Sequence, residues 1–533
     1  MFRAAFRQQD LVANRVDAGA YCHGTDFELI QVRQAARPVI PIEAQASVAR
    51  VRHPRGLYTL FFTEMWERLS YYGMRALLVL FMVDKVEHGG LALTDQAATA
   101  IYGLYTAGVY LAALPGGWVA DRLLGAQRAV WYGGVLIAAG HFCLAIPATT
   151  AFFLGLILVV LGTGLLKPNV STLVGQLYPE GGARRDAGFT LFYMGINLGA
   201  ALGPLACSTL GEKFNWHYGF TAAGVGMVFG LIQYRLTRHH LGTAGWVLPR
   251  LDQPGSRRRD ARIVALTLGL FAIVVVLAFS GALPIQPVWL ARRTTFVILG
   301  LAAAWFTWAL FLSDLKAEER RRVVLVGVLF LASAMFWSGF EQAGSSLNLF
   351  ADRHTRRELG SFLVPAGWFQ SLNAGFVICL APVVAAGWMA LARRRLDPPL
   401  LAKFAGGLLL LAAGFAVLAL GARQALNHGP VLPGWLITTY LLHTVGELLL
   451  SPVGLSSVTK LAPPRLVGQM MGIWFLATSL GNLLAGLFAG EVSGDNAAAM
   501  PARFFQVVVT AGITGLVLLV VAKPAQKLVG SAR

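Results

Sequence analysis

Fourteen times along this chain a run of about 20 mostly apolar residues is followed by a short polar break. A helix of that length crosses the hydrocarbon core of a bilayer, and in lipid only helices and closed barrels satisfy their own backbone groups. The runs are 57–83, 97–120, 129–147, 151–175, 187–210 and 216–236, then 263–283 and 294–313, then 323–350, 366–391, 401–420, 435–458, 467–490 and 504–521. A polar, basic linker from Thr237 to Arg262 follows the first six, and the two runs after it have no ionisable residue in their apolar middles. The pattern predicts an all-α membrane protein with 14 transmembrane helices in a 6 + 2 + 6 order. Charged residues make up only 13% of the chain against about 25% in soluble proteins, so no large soluble domain is left over. The expected organisation is a disordered cytosolic tail (1–55), an N-terminal six-helix bundle (56–240), a basic linker with two inserted helices (241–320) and a C-terminal six-helix bundle (321–525). Residues 1–50 are Arg-rich and lack the apolar core and small-residue cleavage site of a secretory signal.

A formal charge of +18 could suggest nucleic acid, but its distribution argues for a membrane instead. Segments on the side of the N-terminus hold 32 of the 44 Lys and Arg residues and the opposite side holds nine, with Arg68, Arg75 and Lys167 inside spans. Positive charge collects on the cytoplasmic side of a membrane protein, so both termini are expected in the cytoplasm of a multi-pass protein of the inner (plasma) membrane. Cys22, Cys143, Cys207 and Cys379 have no metal spacing and no disulfide framework, and no cofactor is expected. Gly195, Gly199 and Gly203 form a small-xxx-small series whose ordinary meaning is close helix packing.

The informative exceptions are the charges inside spans. The first span carries Glu64, Glu67, Arg68 and Arg75, and offsets of 3, 4, 7 and 11 from Glu64 place Glu67, Arg68, Tyr71 and Arg75 on one helical stripe. A single central charge costs roughly 2.5 to 3.5 kcal/mol to insert, so this stripe needs a wet cavity or partners on other helices. Lys167, Glu341 and Glu447 are likewise buried in otherwise apolar runs. Four carboxylates against three cations leave one negative charge, and one added proton neutralises the set. That balance suits a proton-driven cycle in which a cation moving between acidic partners decides which carboxylate holds the proton. A zwitterionic ligand also needs a cationic and an anionic end across one cavity, and this chain supplies both on opposite halves.

The second span ends in Gly117-Trp-Val-Ala-Asp121-Arg122-Leu-Leu-Gly125-Ala-Gln-Arg128, which resembles the loop between the second and third helices of the major facilitator superfamily, a cytoplasmic gating latch there. The first span reads Glu64-Met-Trp-Glu67-Arg68-Leu69-Ser-Tyr71-Tyr72, which resembles the E-x-x-E-R-F-x-Y-Y signature of the proton-dependent oligopeptide transporters within that superfamily. Phe192-Tyr193-Met-Gly-Ile196-Asn197-Leu-Gly199 is similar to their F-Y-x-x-I-N-x-G motif. The surroundings of Lys167, Trp337 with Glu341, Glu447 with Ser451, and Trp474 are similar as well, and Leu69 in place of Phe is a departure.

The resemblance implies the major facilitator fold, two six-helix bundles plus two inserted helices, and symport of di- and tripeptides with protons by alternating access. It implies that Glu64, Glu67, Arg68 and Lys167 couple protons, with Glu341 as the switching partner of Lys167 across the bundles. Arg75 and Lys167 would hold the peptide carboxylate and Glu447, beside Ser451, its ammonium. Asn197, Tyr71, Tyr72 and Tyr110 would meet the peptide, and Trp337 and Trp474 would line side-chain pockets. The expected partners are small peptides, protons and membrane lipids, without nucleic acid, and the expected working unit is a monomer. The alternative on the same scaffold is a carrier of another small anion or zwitterion, such as nitrate or a modified amino acid. An enzyme is disfavoured, since no metal or nucleophile motif is present and His141 and His443 stand alone in their spans.

Overall fold

Every apolar run is helical, and all but 323–350 hold a single long α-helix. The computed structural model describes residues 53–246, 255–492 and 497–529. The tail expected over 1–55 and Cys22 lie outside them, apart from His53, Pro54 and Arg55, and Arg55 already opens the first helix. The first six helices are α1 (Arg55–Val83), α2 (Asp95–Val119), α3 (Ala126–Leu144), α4 (Thr149–Gln176), α5 (Gly182–Lys213) and α6 (Trp216–Thr237). Two follow, α7 (Ser256–Phe279) and α8 (Pro287–Thr307). The rest are α9 (Ala317–Phe340), α10 (Ser346–His354), α11 (Ser371–Arg393), α12 (Leu400–His428), α13 (Gly434–Leu461), α14 (Val467–Val492) and α15 (Met500–Val529). Among the described residues 11 helical stretches are long and apolar enough to cross a membrane, and the more polar α1, α3 and α6 complete the 14 crossings. Local chemistry marks the starts: Thr94 accepts from the Ala97 N–H ahead of α2, and Asn215 from the His217 N–H ahead of α6.

The main departure from the sequence reading lies in the run 323–350, expected as one helix. It is broken: α9 stops at Phe340, a single 3-10 turn spans Glu341–Gly344, and α10 completes the crossing. A Cβ on Gly344 would sit 2.3 Å from the Tyr102 hydroxyl, so the turn exists where α2 presses on the backbone. Broken helices at membrane depth persist where protein rather than lipid surrounds them, and Glu341, Gln342 and Gly344 are all buried. The run 366–391 likewise opens as a 3-10 turn, Ala366–Gln370, before α11 begins.

Small residues let the helices touch. A Cβ on Gly199 of α5 would come 2.2 Å from the Met65 carbonyl oxygen, and one on Gly203 would come 2.4 Å from that of Leu69. The glycine series is thus the α1–α5 contact. Between α2 and α14, a Cβ on Gly486 would lie 2.4 Å from the Thr99 oxygen, and Ser479 donates to the Ala107 carbonyl at 3.0 Å. Further along the same crossing the gap widens, and a Cβ on Gly472 would meet only the Leu114 side chain at 3.6 Å.

Of the inserted pair, α8 packs on both α2 and α14, with Trp305 Nε1 donating to Gln469 at 3.0 Å. Asp260 is the buried residue of α7. It pairs at 3.2 Å with Arg122 in the turn after α2, while Arg257 donates to the Leu123 carbonyl.

An even number of crossings returns the chain to the face on which Arg55 lies. On the distal face the first six helices and the last seven are joined by polar contacts. Arg353 holds Asp95 with both guanidinium nitrogens at 2.6 and 2.9 Å, and Asn348 donates to the Ala76 carbonyl at 2.8 Å. Trp368 Nε1 donates to the Leu205 carbonyl and to Thr209, and Ser371 donates to the Ala201 carbonyl at 2.7 Å. The distal side is therefore closed, and the α2–α14 seam loosens toward the terminal side.

Candidate functional site

The charged stripe of α1 turns inward. Glu64, Glu67, Arg68, Tyr71 and Arg75 are all buried. Arg68 grips Glu67 through Nε and through Nη2, the latter 2.7 Å from Oε1, while its Nε lies 3.3 Å from Glu64 Oε1. The other Glu64 oxygen, Oε2, has no hydrogen-bond partner among the described residues. The guanidinium stands 5.0 Å from the Tyr71 ring centroid and 6.0 Å from that of Tyr72, and Tyr71 stacks on Tyr105 at 6.2 Å. One cation thus serves two carboxylates inside an aromatic sleeve, which offsets part of the cost of burying all three.

Two turns further along α1, Arg75 leaves its own half. Its Nη2 lies 2.9 Å from Glu341 Oε2 in the broken segment between α9 and α10. Arg75 Nε makes no hydrogen bond, and the guanidinium is flanked by Tyr72 at 5.6 Å and Tyr102 at 5.8 Å. The break is what brings the carboxylate here: Tyr102 Oη donates to the Glu341 carbonyl at 3.3 Å, and Tyr440 of α13 donates to that of Ala343.

The expected exchange between Glu341 and Lys167 is not the pairing seen. The Lys167 ammonium lies 4.0 Å over the Tyr110 ring, half-buried on α4, where it makes a cation–π contact and no ion pair among the described residues.

In the other half, Glu447 Oε2 accepts from Asn373 Nδ2 at 3.0 Å, and the same amide donates to Thr444 Oγ1 at 3.0 Å. Asn373 and Thr444 escaped the sequence reading, although an asparagine in the run SLNAGFV of α11 is a polar signal that could have been weighed. Ser451 lies half-buried one turn after Glu447. Asn197 donates its amide to the Tyr193 carbonyl at 2.9 Å, so that donor is committed to its own helix.

The two tryptophans differ in setting. Trp337 is half-buried between Phe336 and Phe340, with its Cβ against Gly481 of α14. Trp474 is 7% exposed and packs on Phe404 and against Gly454, so here it is a core side chain.

The arrangement sets carboxylates and cations on both halves, and the Arg75–Glu341 ion pair joins the two sets. Residues 127–500 match the family described as PTR2, the POT family. The chain belongs to the POT family. It is 41% identical over 500 residues to the peptide transporter YePEPT of Yersinia enterocolitica subsp. palearctica, a match covering 90% of this chain and 96% of that one. It is 37% identical over 498 residues to the di-/tripeptide transporter of Lactococcus lactis subsp. cremoris, covering 90% of this chain and 97% of its relative.

Among solved structures, a peptide transporter POT in complex with sulfate matches with a TM-score of 0.83 at 42% identity, covering 89% of this chain and 96% of that one. A POT family transporter in complex with 5-aminolevulinic acid matches at 0.81 and 32% identity, covering 89% and 97%. This is a multi-pass membrane protein of the major facilitator fold, and its relatives are transporters rather than enzymes.

Proposed function

We propose that this protein carries di- and tripeptides into the cell together with protons, by alternating access. It sits in the inner (plasma) membrane with both termini cytoplasmic and works as a monomer among lipids. The observation that carries the reading is the Arg75–Glu341 ion pair, buried on both sides and made by residues from opposite halves. Such a pair holds the halves together at its level, and a ligand carboxylate arriving at Arg75 competes for it. Glu341, once displaced, needs a proton or another cation, and Lys167, on its tyrosine face, is in no ion pair among the described residues. Glu64, with one oxygen free of hydrogen bonds, is the proton acceptor of the α1 cluster, while Arg68 anchors on Glu67.

Glu447, oriented by Asn373, takes the peptide ammonium, with Ser451 beside it. Tyr72, Tyr110 and Asn197 line the path between the two ends, Tyr71 backs the cluster, and Trp337 borders a side-chain pocket. Trp474 belongs to that pocket only after a rearrangement that frees it from Phe404. The distal face is closed in this conformation.

The test is uptake of a labelled dipeptide into proteoliposomes under an imposed proton gradient, competed by tripeptides. Accumulation that collapses with the gradient and is competed by tripeptides supports the reading, and uptake indifferent to the gradient removes it. A second reading, transport of another small zwitterion, draws support from the relative solved with 5-aminolevulinic acid. Competition by that compound but not by tripeptides would select it.

A further inference from the structure

On the distal face one carboxylate bridges the halves in an unusual way. Glu212 is in the last turn of α5, and its two oxygens accept from the backbone N–H groups of Ala366 (2.6 Å) and Gly367 (2.9 Å). These N–H groups open the turn that leads into α11, so they are the orphan donors of a helix start, where negative charge is favoured. A capping carboxylate normally belongs to the helix it caps, and here it comes from the opposite half. The contact is close: a Cβ on Gly367 would lie 2.0 Å from Ser208 Oγ of α5. Arg357 stands 3.6 Å from Glu212 and is itself held by Asp352 at 2.7 Å.

Glu212 also forms part of the wall of a distal cavity of about 370 Å³, lined as well by Asp84, Lys85, Lys213, Asp352, Arg353 and Arg357. Glu212 borders the cavity directly, so a proton entering it meets the carboxylate. Burial alone would raise the pKa of Asp84, but hydrogen bonds from His88, Trp216 and the Lys85 N–H hold it below the usual carboxylate range. Asp84 therefore stays charged where a neighbour titrates.

We propose that Glu212 is a proton-operated latch of the distal gate: charged, it caps the start of α11 and holds the halves shut, and protonated, it lets them part. A proton placed on one oxygen turns an acceptor into a donor facing an N–H. It also removes the charge that makes these hydrogen bonds roughly twice as strong as neutral ones. The inference rests on the alternating-access reading only in requiring that the distal face opens, and it adds that external acidity helps to open it.

The experiment places spin labels at Glu87→Cys and Asn427→Cys, both exposed distal positions, in the full chain with its native cysteines replaced. Distances are read at pH about 5 and about 8, without peptide. We expect a longer-distance population that grows at least about twofold at the lower pH. Glu212→Gln should show that population at both pH values, and Glu212→Asp should keep the pH response. Gly367→Ala, which forces the same contact apart without touching a charge, should likewise raise the open population at both pH values and flatten the response, so the test survives a poorly folding Gln variant. A Glu212→Gln or Gly367→Ala protein that responds to pH like the parent overturns the latch. Peptide uptake is not read, so failure of the peptide assignment would leave this result standing.

Discussion

At the level of single residues, the α1 cluster makes unequal demands on its two carboxylates. Glu67 takes two contacts from Arg68, whereas Glu64 keeps one oxygen unpaired. Glu64→Gln should therefore leave Arg68 anchored while removing a proton site. Proton-driven accumulation is expected to fall at least about tenfold, equivalent to 1.4 kcal/mol, with counterflow exchange of peptide preserved. Driven uptake at the parent rate would show that Glu64 does not couple.

Asn373 supports a second prediction. Glu447 is half-buried and a hydrogen bond to a charged group contributes about 1.5–3 kcal/mol, so Asn373→Ala should raise the apparent KM for free peptides by about tenfold or more. Peptides blocked at the amino end should be much less affected, and an equal effect on both would detach Asn373 from the ammonium site. The α1 stripe was legible in the sequence because charges in an apolar run stand out against the cost of inserting them. Asn373 was not, because one neutral amide in such a run has many ordinary uses, and only tertiary packing brought it to Glu447.

At the level of helices, glycine decides how close two backbones come. Gly199→Ala would drive a methyl to 2.2 Å from the Met65 carbonyl, a backbone atom with little room to move, and overpacking of this kind costs about 1–3 kcal/mol. Gly108→Ala is the matched control, since its Cβ would meet only Val160 side-chain atoms at 3.5 Å or more, and alanine otherwise favours a helix by about 1 kcal/mol. Thermal unfolding in detergent should show a lower midpoint for the first and an unchanged or higher one for the second. Equal midpoints would mean that the α1–α5 contact relaxes easily.

The number and order of the crossings were readable because apolar length is a one-dimensional quantity. The break at Glu341 was not, because it depends on the Tyr102 ring pressing against Gly344 from another helix. Glu212 was hidden for a related reason: it stands just beyond the expected span 187–210, where a carboxylate reads as solvated.

For the molecule as a whole, the two kinds of bridge between the halves should differ sharply in worth. Asp95–Arg353 lies at the distal surface, with the Arg353 side chain 38% exposed, and exposed pairs contribute about 0–1 kcal/mol. Arg75–Glu341 is buried on both sides, and removing one partner of a buried pair costs about 3–5 kcal/mol. Labelling of distal cysteines by an impermeant reagent should therefore change little in Asp95→Asn and rise strongly in Glu341→Gln. The reverse order would place the main lock at the surface.

The inserted hairpin has a mechanical consequence. Because α8 bears on α2 and α14 at once, acyl chains are kept off that stretch of the seam. Whenever the halves rock, they slide against side chains such as Trp305 rather than against fluid lipid, so friction at this joint is built into the polypeptide and not borrowed from the bilayer.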